Sequence, residues 1–207
     1  MTHRILLGLL LSILGIAGCG SSTQTVQLRR DHSDQVFAVT FDRAFYSQTS
    51  DGQLEVILVS EGPSKSSTNE PLVTSGEKSV RQIVHLKILW QKPRGYRIDN
   101  PAATNSTLTW YVIAGPHDRL IYTGSAWTRV IQNQSSVELD IRNATLTINR
   151  VVGQVRDPLK RVTFAGTLMA RQSETAVHSF LEELTSYRST DSSAALSDSA
   201  TNKTPTH

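Results

Sequence analysis

The sequence predicts a mainly β protein, an antiparallel β-sandwich or open barrel with one C-terminal amphipathic helix. Three observations carry this expectation. Apolar side chains recur with a period of two along much of the chain, as in Val84, Leu86, Ile88 and Trp90. Turn chemistry separates such runs, at Asp51-Gly52 and at Gly115-Pro116-His117-Asp118. A single stretch near the end changes period, from Ser173 to Tyr187. Many strands closed by one helix imply sheet packed on sheet, or a sheet curled on itself, with the helix docked against it.

In chain order, strands are expected at Gln35 to Phe41 and at Leu54 to Ser60. The next runs from Val84 to Trp90, where His85 and Lys87 alternate with the apolar positions and Trp90 continues the core parity of Ile88. Leu108 to Ala114, Leu120 to Tyr122 and Trp127 to Ile131 follow. Val137, Leu139 and Ile141 then alternate with charged residues, and Leu146 and Ile148 alternate with Thr145, Thr147 and Asn149. The apolar parity flips between Ile141 and Leu146. A tight turn at Asn143-Ala144 would explain the flip by setting Ile141 against Leu146 in a hairpin, and a bulge would flip it too. Val162 to Ala170 is the last strand. Val177, Phe180, Leu181, Leu184 and Tyr187 then form a helical stripe, with Ser173 as N-cap and Glu174 in the first turn, where negative charge suits the dipole.

The ends read differently. Residues 189–207 are rich in Ser, Thr, Ala and Asp, and Leu196 is their one large apolar side chain, so a disordered tail is expected. Residues 20–34 show little periodicity and read as a flexible tether. That leaves one β-rich globular domain at 35–188, long enough to bury a core without metals or disulfides. The formal charge of +3 is a small excess over 18 acidic residues, despite a pI near 9.2, and gives no nucleic-acid footprint.

At the N-terminus, Arg4 precedes an almost wholly apolar run from Ile5 to Gly18, too short to span a bilayer but suited to a signal-peptide core. The run ends in Ile16-Ala17-Gly18-Cys19, and Cys19 is the sole cysteine. This junction resembles the lipobox of bacterial lipoproteins. The resemblance implies a signal peptide at 1–18, cleavage before Cys19, and lipid (diacylglyceryl, with palmitate) on the Cys19 thiol, so that 19–34 tethers the domain to a membrane. Gly20 stands where many lipoproteins retained at the inner membrane carry aspartate, which favours the outer membrane in a diderm host. A lipidated sole cysteine also removes disulfides, thiolate metal sites and cysteine nucleophiles.

Chemistry-bearing motifs are sparse. The nucleophile elbow, zincin, phosphate-loop and dinucleotide fingerprints are all missing from the sequence. Ser75-Gly76-Glu77-Lys78 matches the Ser-x-x-Lys of penicillin-recognising enzymes by chance spacing, without its companion motifs. Asp31, His32 and Asp34 offer metal-ligand types but lie in the expected tether, and His117-Asp118 reads as a turn. His85 and His178 fall on polar faces. No catalytic residue, metal or cofactor is therefore assigned.

Trp90-Gln91-Lys92-Pro93-Arg94-Gly95-Tyr96-Arg97 is the stretch with recognition chemistry: three cations and two aromatics on a loop that Pro93 and Gly95 keep irregular. Guanidinium forks bind phosphate and carboxylate, and aromatic faces stack. Lys92, Arg94, Tyr96 and Arg97 are the candidate ligand-binding residues, with Arg156 to Arg161 a weaker basic loop. The reading is a membrane-anchored envelope lipoprotein whose non-catalytic module contacts an envelope protein or anionic envelope polymer. A small-molecule or lipid-binding β-barrel carrier is the alternative, and an enzyme of unrecognised type the third.

Overall fold

The computed structural model describes residues 24–31, 36–61, 80–91, 103–157 and 159–200, with side chains described as far as Tyr187. Cys19 and the lipobox, His32, Asp34, Ser75, Lys78, Lys92, Arg94, Tyr96, Arg97 and residues 201–207 lie outside the described residues.

Among the described residues, nine strands and one helix follow in order: β1 (Gln24–Arg30), β2 (Val36–Phe41), β3 (Arg43–Gln48), β4 (Leu54–Ser60), β5 (Arg81–Ile88), β6 (Ser106–Ile113), β7 (Arg119–Gln132), β8 (Ser136–Val152), β9 (Arg161–Gln172) and α1 (Glu174–Ala200). The mainly β class with a single C-terminal helix is thus as expected. The strands form one mixed sheet in the order β2-β1-β9-β3-β4-β5-β6-β7-β8, and β9 also pairs with β8. Pairing therefore runs in a circuit from β9 through β3 to β8 and back. Every pairing is antiparallel except the short parallel contact of β3 with β9, at Phe45↔Arg171 and Tyr46↔Gln172. β1 branches from the same edge of β9 at Gln27↔Ala165 to Arg30↔Val162, and β2 pairs on its far side.

The two faces of this sheet bury different sets. Alternate residues pointing inward, among them Phe41, Leu86, Trp110, Tyr122, Leu139 and Phe164, build the main core. Residues of opposite parity on β3 to β7, including Phe45, Ile57, Ile83, Tyr111 and Ile121, face outward and receive Val177 and Leu184 of α1. The helix starts as its sequence requires: Ser173 Oγ accepts from Ala176 N at 3.4 Å and Ser173 O from Val177 N at 3.1 Å. Arg81 then pairs with Glu183, and the Tyr187 hydroxyl donates to Glu183 Oε1 at 2.7 Å.

Five expectations need correction. Residues 24–30, assigned to a tether, form β1, with Val26 and Leu28 fully buried. Two apolar residues in seven are a weak pattern, but β9 supplies a partner edge that makes them core. Gln24 extends this pairing with its side chain, whose amide donates to Met169 O while Oε1 accepts from Met169 N at 2.6 Å. The second is β3, missed because Ala44, Phe45 and Tyr46 are buried in succession on both faces and show no alternation. Third, α1 continues to Ala200, so residues 189–200, assigned to a disordered tail, are helical.

The fourth correction concerns the parity flip, where of the two expected causes the bulge holds and the turn does not. No hairpin sets Ile141 against Leu146; both lie on the single 17-residue β8. Ser125↔Thr145 and Trp127↔Arg142 span two residues of β7 but three of β8, and Ile141↔Gly166 and Ala144↔Phe164 repeat the mismatch against β9. One extra residue is inserted in β8 at Arg142-Asn143, and Asn143 takes it up at φ 48°, a left-handed conformation Asn tolerates better than most residues. The neighbouring Gly124 of β7 is required by close approach, since a Cβ there would lie 1.9 Å from Thr145 O.

Fifth, β5 ends at Ile88 and Trp90 does not continue its core parity: the side chain is 44% exposed.

Candidate functional site

Trp90 stands on β5's outgoing segment, at the root of the basic loop. Its indole meets that of Trp127 on β7, with ring centroids 5.4 Å apart and planes tilted by 59°. Leu89 beside it is also 44% exposed. Two adjacent large apolar side chains held toward water are an unusual arrangement, and the backbone beneath them shows how they are kept there.

Asn105, Ser106 and Thr128 are polar yet almost fully buried. The Asn105 amide donates to Trp90 O at 3.2 Å and to Thr128 O at 2.8 Å, and its Oδ1 accepts from Thr128 N at 2.8 Å. Asn105 O accepts from Leu89 N at 2.9 Å, and Asn105 N donates to Ala126 O at 3.1 Å. The Ser106 hydroxyl bonds to Ala126 O at 3.0 Å and to Thr128 Oγ1 at 2.8 Å. β6 stops pairing with β7 at Ser106↔Ala126, so Asn105 acts as a clasp that carries the backbone bonding one step further. Such a satisfied buried network fixes its neighbours in one arrangement. Here it fixes both ends of the Trp90–Trp127 pair.

The remaining polar clusters have structural partners. His85 Nε2 lies 3.1 Å from Glu55 Oε2, with Lys87 Nζ 3.7 Å from Oε1 of the same carboxylate. His178 is exposed on α1 beside Glu182. His117-Asp118 does form a turn: Asp118 O accepts from Ala114 N and Gly115 N, and Asp118 Oδ1 accepts from Gln154 N at 2.8 Å. Asp31 pairs with Arg161, Nε to Oδ2 at 3.5 Å. In the weaker basic loop, Asp157 accepts from Leu159 N and Lys160 N at 2.9 Å and from the Tyr122 hydroxyl. Burial, and then that hydrogen bond to a carboxylate, push the Tyr122 phenol far above its ordinary range. Among the described residues, no group of three or more His, Cys, Asp or Glu could hold a metal ion, and no helix is long and apolar enough to cross a membrane.

Local sequence does not reveal the clasp beneath Trp90. Trp127 was read only as the start of a strand, and Asn105 gave no signal at all. A lone Asn acquires meaning only when three strands converge on it. No family model, curated protein or solved structure matches the chain.

Proposed function

We propose that the chain is a membrane-anchored envelope lipoprotein, held through lipid on Cys19, whose β-rich domain is a non-catalytic module that contacts an anionic envelope component. The observation that carries this reading is the Trp90–Trp127 pair, with Leu89 and Trp90 each 44% exposed over the buried Asn105 clasp. Apolar side chains held rigidly in water lose little entropy on binding, which suits recognition. Lys92, Arg94 and Arg97 follow directly in sequence and add charge that attracts anions at a distance. The inward face of the sheet is filled by side chains as large as Trp110, Tyr122, Phe41 and Phe164, which supports contact through the surface over carriage of a ligand inside.

The test has two arms. Mass measurement of the purified N-terminus should find acylated Cys19, and Cys19→Ala should leave an unlipidated protein with its signal peptide intact. An unmodified Cys19 in the wild-type protein would remove the anchor. Replacing Lys92, Arg94 and Arg97 together by Gln should leave the melting temperature almost unchanged if these cations serve binding and not the fold. Sedimentation with vesicles rich in anionic phospholipid should fall for that variant, and the wild-type interaction should weaken as salt rises. Trp90→Ala should weaken binding without changing the salt dependence. Wild-type binding by the triple-Gln protein would overturn the role of the loop.

A further inference from the structure

The helix covers the outer face of β3 to β7. The opposite outer face is built from β2, β1, β9, β8 and the far half of β7. At the bulge in β8 lies a groove of about 550 Å³, lined by Thr25 and Gln27 of β1, Asp140, Arg142 and Asn143 of β8 and Thr167 of β9, together with Ile141, Ala165 and Gly166. Its volume is within the range of small-molecule sites. We propose that this groove binds a sugar unit of a neutral saccharide chain. The proposal assigns a second ligand class to the domain and does not depend on the basic loop.

Two features of the groove select this chemistry. Its one cation is already neutralised: Arg142 Nε and Nη2 donate to Asp140 Oδ2 at 2.9 and 2.8 Å. An anion would have to displace that carboxylate, whereas a sugar hydroxyl can donate to Asp140 Oδ1 and accept from the guanidinium together. Next, within the described residues the structure gives no hydrogen bond to the Gln27, Asn143 or Thr167 side chains, so two amides and a hydroxyl face the groove ready for a hydroxyl-rich ligand.

The bulge makes the groove possible. It inserts Asn143 beside Arg142, so two polar side chains occupy a step of the ladder where regular pairing would give one. Gly166 allows the close approach of β1 to β9 beside the groove, since a Cβ there would stand 3.3 Å from Val26 Cα.

The test is titration of the full-length lipidated protein in detergent micelles with two uncharged probes, chitotetraose and maltotetraose, followed by tryptophan fluorescence and calorimetry. At least one should bind with a Kd below about 1 mM, with little dependence on salt because neither partner contributes net charge. Preference for chitotetraose identifies an N-acetylated wall-type glycan, and preference for maltotetraose a hexose polymer. Asp140→Ala and Gln27→Ala should each weaken binding by about tenfold or more. Thr167→Val, an exposed change on a strand, should weaken it without altering the melting temperature and guards against loss of fold. The triple-Gln loop variant should bind saccharide at wild-type strength, so failure of the loop reading and failure of this one are separable. Absence of binding by both probes at about 10 mM, or equal binding by the Asp140, Gln27 and Thr167 variants, would overturn the proposal.

Discussion

Tyr122 shows how a single side chain is tied to two levels of the structure. Its ring is fully buried and stacks on Trp110, with centroids 5.1 Å apart, while its hydroxyl reaches Asp157 in the segment leading to β9. The folded protein holds this phenol neutral, because burial and the adjacent carboxylate both oppose its ionisation. In the unfolded chain the group titrates near about 10. Its contribution is therefore full below about pH 10 and declines as pH rises further, since the unfolded chain releases a proton that the folded one retains. Tyr122→Phe keeps the stacking, and Asp157 keeps its bonds to Leu159 N and Lys160 N. We expect a loss of about 1–2 kcal/mol at neutral pH and a shallower decline of stability above about pH 10, measured by urea titration at several pH values. Tyr187 is raised in the same direction, by burial and then by its bond to Glu183, so the alkaline decline should be reduced and not abolished. An unchanged alkaline slope would show that Tyr122 ionises without unfolding the protein.

Among the elements, α1 and β8 were legible to different degrees. The helix stripe follows from the 3.6-residue turn, and Val177 and Leu184 are buried as that stripe requires. Arginines surround the docking site: Arg43 and Arg81 each lie 5.8 Å from the Phe180 centroid, and Arg119 lies 5.0 Å from that of Tyr187. Leu184→Asp should destabilise the domain by more than about 2 kcal/mol, because a carboxylate cannot enter that contact without a partner. Chemical denaturation would measure this, and a neutral effect would mean the helix contributes nothing to the fold. In β8 the parity flip was visible but its cause was not. A turn and a bulge both reverse parity, and the choice between them depends on whether β7 and β9 flank the segment on both sides. They do, so the chain continues straight with one residue extra. The candidate site shows the same division. The aromatics and cations of the loop could be read directly, but the Asn105 clasp depends on where β6 ends relative to β7.

At the scale of the whole molecule, β1 is the element whose status changes most. A domain beginning at residue 35 follows from the local sequence, yet Val26 and Leu28 are fully buried in the main core. Each such side chain contributes about 1.5–3 kcal/mol on burial, and β2 loses its only strand partner among the described residues when β1 is removed. A chain shortened to residues 36–200 should therefore lose about 3–6 kcal/mol, a large fraction of the stability of a domain this size. Urea denaturation against a chain of residues 20–200 would measure the difference. Equal midpoints would show that β1 is an accessory to a fold complete without it. If β1 is needed, the span free to separate the domain from a membrane is shorter than residues 19–34.

The sequence by itself determined the features that follow from local covalent geometry. Two-residue alternation marks β5, β6 and β9, a helical stripe behind Ser173 marks α1, and an apolar run ending in a cysteine marks the lipobox resemblance. Tertiary structure alone decided what rests on pairing between distant segments. Gln24 and Met169 share backbone-like hydrogen bonds although 145 residues separate them. The outward turn of Trp90, the bulge at Asn143 and the groove beside it depend in the same way on where neighbouring strands begin and end. Side-chain parity is a property of one strand, but register is a property of two, and a single stretch of sequence carries only the first.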